Sequence, residues 1–230
     1  MENKIKTKTI IRTIVTILLF IFMKYFQYIP VLLFKLDVEA LTMPQIYMLS
    51  IFSYVLVDLI IFFMYRKDLK ENFKRFKENF WENADLAMKC WFVGLGVMII
   101  VNLAIMIFTP SKGANNEQKV DEIIKAVPVL AFFLTTVFAP FTEEMTFRKA
   151  FYDVLKNNKI LYILVSGIVL GAMHVVFNIT SVYDYLYIIP YSALGISFAY
   201  MDMKSDNIFP SIIIHTIHNG VLTLLQIFLM

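Results

Sequence analysis

The chain has 230 residues, a formal net charge of +3, 59% hydrophobic and 16% aromatic residues, and a mean hydropathy of +0.69. Soluble domains are about 45–50% apolar, so this excess excludes an ordinary soluble domain and predicts an all-α, polytopic membrane helix bundle. The single cysteine, Cys90, excludes an internal disulfide and reads as packing.

Seven apolar segments near or above the ~20 residues needed to cross a bilayer follow one another at 9–34, 43–65, 86–109, 122–149, 160–178, 184–203 and 208–228. Lys4, Lys6, Lys8 and Arg12 precede the first, but Lys24, Tyr25 and Phe26 follow it instead of small residues, so it reads as a retained span. Between the second and third, segment 66–85 carries Leu69, Phe73, Phe76 and Phe80 at helical spacing among Lys and Arg. That pattern predicts an amphipathic helix on the cytoplasmic leaflet. Pro30, Pro128, Pro140 and Pro190 interrupt several spans, which buried helices tolerate. No linker or repeat divides the chain, so 1–230 reads as a single transmembrane domain.

Basic residues set the orientation. With a cytoplasmic N-terminus, inner segments hold 15 of the 21 Lys and Arg, and outer segments hold only Lys35, Lys112, Lys119 and Lys125. The expected location is the cell membrane, with an extracytoplasmic C-terminus. The net charge therefore reports orientation and gives no reason to expect nucleic acid. Lys24 and Asp58 fall near mid-depth of adjacent spans, where a structural ion pair is expected to offset their burial.

The fourth span carries Glu143, Glu144 and Arg148. Residues four apart share a helix face, so Glu144 can pair with Arg148 while Glu143 points roughly 100° away and is left to meet water. Pro140, one turn earlier, is expected to kink the helix and open a polar niche. An acid–base cluster at a helix end, with the acids snorkelling, is the alternative. The fifth span holds His174 after Gly167, Gly171 and Ala172, small residues that let another helix approach closely. The seventh holds His215, His218 and Asn219, where either His215–Asn219 or His215–His218 can share a face. Counted from cytoplasmic charges, Glu143, His174 and His215 lie about 20, 22 and 16 Å deep. Similar depth on three segments argues for one site on the cytoplasmic side.

Glu-Glu-x-x-x-Arg, then a helix reaching His174, then His-x-x-x-Asn, in that order on the last four spans, resembles the CAAX-protease and bacteriocin-processing (Abi) family of intramembrane peptidases. The resemblance covers about residues 122–225, the expected catalytic core. Leu170 stands where that family usually has Phe, and Lys149 where a small residue often follows the arginine; both bear on substrate fit. The resemblance implies that Glu143 acts with His174 to activate a water, while His215 and Asn219 stabilise the oxyanion and Glu144 and Arg148 support them. It also implies a hydrophobic or lipidated peptide substrate met at the lipid bilayer. No cofactor is expected. If a metal such as zinc took part, Glu143, His174 and His215 would hold it, but two histidines, one acid and an amide make a poor zinc shell. A non-catalytic scaffold or bacteriocin-immunity factor is the alternative function; a proton-relay transporter fits less well, since no inverted repeat is seen.

Overall fold

The computed structural model describes residues 2–111 and 113–229, with the side chains of 2–6 outside the description. Lys112, and the side chains of Lys4 and Lys6, counted above for orientation, therefore lie outside it. All regular structure among the described residues is helical. The elements are α1 (Glu2–Phe22), α2 (Tyr28–Phe34), α3 (Met43–Glu78), α4 (Phe80–Phe108), α5 (Asn115–Ala126), α6 (Pro128–Phe133), α7 (Ala139–Glu143), α8 (Phe151–Leu155), α9 (Lys159–Val176), α10 (Ile188–Ser205) and α11 (Phe209–Leu229). Two π-helical stretches, Leu134–Phe138 and Glu144–Ala150, join α6, α7 and α8 into one broken helix.

By length and apolarity, α3, α4, α9 and α11 qualify as membrane spans, and the first helix with α2, bent by 52°, brings the number to five if that pair is one span. The expected count of seven is not reached, for two physical reasons. The fourth expected span is broken by its π stretches into short pieces, and α10 dilutes its apolar run with Ser192, Asp202 and Lys204. The segment expected as a separate amphipathic helix is instead the continuation of α3, turning at Asn79 straight into α4. Its Leu69 and Phe76 face inward, and Phe73 and Phe76 pack on Phe209 of α11.

The distribution of side chains is that of a protein dissolved in lipid. Large apolar side chains such as Leu32, Ile100 and Phe108 are exposed, while Glu144, Arg148 and Asp202 are buried. Charges cost least in lipid when they face a protein interior. Met23, Val57, Ile61, Tyr65, Met145 and Ile208 form one apolar core between α1, α3 and the broken helix. Cys90 belongs to a second, with Leu194, Phe198 and Ile214, and so serves packing. Backbone contact fixes α9 against α10: a Cβ on Gly167 would sit 2.5 Å from the Ile196 nitrogen, and one on Gly171 2.6 Å from that of Ser192. This is the close approach expected of those glycines, and it sets where His174 stands.

Ion pairs define one end of the bundle. Arg12 reaches Asp68 and Asp153 at 2.8 and 2.6 Å, and Arg75 reaches Asp206 at 2.8 Å. Asp206 closes α10 in the left-handed region, with φ 47°, a conformation short polar residues tolerate. At the opposite end, the Asn115 amide of α5 donates to the Asn178 carbonyl at 2.7 Å and to Asp184 at 3.0 Å. Asp184 lies in the loop joining α9 to α10, outside the spans. Burial opposes its charge, but the backbone N–H groups of Thr180 and Ser181, the Thr180 hydroxyl and Asn115 outweigh that and hold its carboxyl below the usual range. A lowered carboxyl contributes stability above its unfolded value, about 3.9, and loses it as pH falls through the lower folded value. Thermal melts of the wild type and Asp184→Asn are therefore expected to differ at neutral pH and converge in acid; a gap that widens on acidification would oppose this.

The proposed Lys24–Asp58 ion pair is not formed. Lys24 sits over the Tyr25 ring, 5.2 Å from its centroid, and Asp58 accepts a hydrogen bond from Thr142 at 2.5 Å. Equal depth did not mean facing directions.

Candidate active site

Pro140 has no N–H to give, and the helix absorbs this in the π stretch just before it. π turns are wider than α turns and occur often at functional sites. A second one begins at Glu144, so the two adjacent acids straddle a change of helical pitch. Thr142, tied to Asp58 of α3, anchors the turn that presents Glu143.

The two glutamates have different surroundings. Glu144 is fully buried; its Oε2 lies 3.3 Å from Arg148 Nε, and its Oε1 2.8 Å from His215 Nδ1. Arg148, also fully buried, donates through Nη2 to the Gly195 carbonyl of α10 at 3.3 Å. Glu143 turns the other way. Its Oε2 lies 3.6 Å from His174 Nε2 and 3.9 Å from His215 Nε2. Those separations are too long for direct hydrogen bonds and suit one bridging water.

Each ring is held by its neighbours. His174 stacks on Tyr191 of α10, with centroids 4.8 Å apart and planes inclined by 21°. His215 packs on Phe198 and takes its orientation from Glu144. His218 points elsewhere: its Nδ1 accepts from Trp91 of α4 at 3.2 Å. Three of the four residues implied as catalytic thus converge, together with Glu144 and Arg148. Asn219, one turn beyond His215, is tied instead to the Thr135 carbonyl of the first π stretch at 3.0 Å. Tyr191 and Thr142 carried no sequence signal. Asp202 did, as an acid at the edge of an apolar segment.

Among the described residues, no group of three His, Cys, Asp or Glu side chains is arranged to hold a metal ion. Beside His174 lies a shallow crevice bordered by Ala114, Asn115, Asn178 and Tyr187, at the α5 end of the bundle. That end is opposite the Arg12 and Arg75 ion pairs.

A polytopic helical membrane protein with a buried Glu–His centre is the class these features define. Residues 125–221 match the family described as Type II CAAX prenyl endopeptidase Rce1-like, which agrees with the resemblance carried by Glu143, Glu144, Arg148, His174, His215 and Asn219. The chain is similar to YdiL of Bacillus subtilis (strain 168), which carries a membrane-peptidase name, at 25% identity over 53% of this chain and 47% of that one. It is similar to the membrane-embedded CAAX protease MroQ of Staphylococcus aureus (strain USA300) at 22% identity, covering 56% and 52%. The UPF0177 protein YxdF of Lactococcus lactis is 21% identical over 60% of this chain and 77% of its own. The matched stretch spans about half the length of the first two relatives. No solved structure matches significantly.

Proposed function

We propose that the chain is an intramembrane endopeptidase in which Glu143 and His174 activate a water to attack a peptide carbonyl. The observation that carries this reading is Glu143 Oε2 facing two imidazole Nε2 atoms at 3.6 and 3.9 Å. A water there gives its proton to Glu143 as its oxygen bonds to the carbonyl carbon. His215 stabilises the oxyanion, since fixed donors in a dry site act strongly on developing charge; Asn219, expected to share that role, is held by the Thr135 carbonyl. Glu143 then passes the proton to the leaving nitrogen as the C–N bond breaks. Glu144 and Arg148 position His215.

The substrate in this reading is a hydrophobic or lipidated peptide met in the bilayer, and the N-terminus is cytoplasmic on the bias of basic residues. Depth counts favoured approach from the cytoplasm. The crevice beside His174 lies at the other end and, at about 10 Å³, has room for about one water, so the peptide is read as arriving from the lipid at that end. Protein reconstituted in one orientation, with a hydrophobic peptide added inside or outside the vesicles, tests both points. Cleavage is expected from the α5 side and to survive a divalent-metal chelator. Loss of cleavage on chelation, restored by zinc, would replace this mechanism with a metal-based one.

A further inference from the structure

The end of the bundle with the ion pairs contains a second cavity, of about 210 Å³, separate from the crevice at His174. Asp68, Arg75 and Lys149 line its outer part and are paired with charges of opposite sign. Its inner wall is different. Arg148 and Tyr162 are fully buried there, and Asp202 is 4% exposed. Asp202 uses one oxygen to accept from Ser211 at 3.0 Å, and the other has no partner. The Tyr162 hydroxyl and Arg148 Nη1 have none either.

Among the described residues, ten buried side-chain N and O atoms lack a hydrogen-bond partner within the protein. Six of them belong to Glu143, Glu144, Arg148, Tyr162 and Asp202, so the deficit is concentrated along one route rather than scattered. Arg148 Nε and Glu144 Oε2 are within ion-pair distance of each other but poorly aligned for a hydrogen bond. Buried polar groups are almost always satisfied by protein or by ordered water, and a polar cavity of this size has room for several waters. Acids and bases around it nearly balance, which disfavours a resident ion of either sign.

We propose that this cavity is a hydrated vestibule whose waters run from the ion-paired end, past Asp202, Tyr162 and Arg148, to Glu144 and Glu143. Water then reaches the site by a door separate from the one the peptide uses. That last step rests on the peptidase reading above; the hydration itself does not.

Radiolytic hydroxyl labelling of the full-length protein in lipid nanodiscs tests it, because ordered waters generate radicals beside side chains that bulk radicals cannot reach. Tyr65 is the internal control, equally buried but hydrogen-bonded by Thr16 and away from the inner wall. Tyr162 is expected to be labelled several-fold faster than Tyr65, and to take up oxygen-18 promptly after mixing with labelled water. Equal, slow rates at the two tyrosines would overturn the vestibule. The same labelling on Glu143→Gln separates the two ideas. An unchanged Tyr162 rate in a variant that still cleaves peptide would sink the role assigned to Glu143 and leave the vestibule standing. A slow Tyr162 rate in a wild type that cleaves would do the reverse.

Discussion

His215→Ala is expected to lower peptide turnover by about 10²- to 10³-fold, the usual cost of losing one donor to a developing oxyanion. His215 bridges the site: Nδ1 to Glu144 at 2.8 Å, Nε2 toward Glu143 at 3.9 Å. His218→Ala makes the contrast, since the hydrogen bond of that ring goes to Trp91. Its loss leaves the indole N–H without its acceptor and costs about 1–3 kcal/mol of stability, with turnover per folded molecule unchanged. Kinetics and thermal melts on both variants check this. A turnover loss confined to His218→Ala would mean that the working face of α11 is the other one.

Arg148→Met is expected to destabilise the protein by about 3–5 kcal/mol, because removing one partner of a buried pair leaves the other charge uncompensated. Glu144 would keep His215 but lose its cation, in a place where neither side chain has any exposure. The double variant Arg148→Met/Glu144→Gln is expected to recover much of that stability, since it removes both charges together. It should not recover turnover, because glutamine at 144 no longer fixes His215 as a carboxylate does. Strictly additive losses in the cycle would show that the pair is not coupled.

Much of this site was legible in the sequence, for reasons that can be named. Glu144 and Arg148 are four apart, and helical period alone brought them together and turned Glu143 away. The glycines Gly167 and Gly171 announced a close helix contact, and α10 supplies it through Ile196 and Ser192. The family resemblance fixed the order of the motifs but not which face of α11 is used; Trp91, far away in sequence, decides that. Depth counting put Glu143, His174 and His215 at one level, and the structure does bring them together. It failed for Lys24 and Asp58, because depth says nothing about azimuth, and Thr142 was the nearer partner. Span counting gave seven where four or five helices qualify by length and apolarity, because hydropathy does not register helical pitch. The π stretches that break the fourth segment follow from Pro140 and the packing around it, not from apolarity. Asp202 went unweighed because it sits where an apolar run ends, yet it closes the inner wall of the second cavity.

The central claim is that Glu143 does chemistry on a peptide. Its most direct test compares membrane and secreted peptides from cells expressing the wild type or Glu143→Gln at equal levels. Glutamine nearly preserves shape but cannot take a proton from water. New peptide termini present only with the wild type are the predicted result, and they would name the substrate at once. Identical peptides from both, with Glu143→Gln still rescuing a deletion strain, would contradict the account and point to a scaffold that binds without cutting.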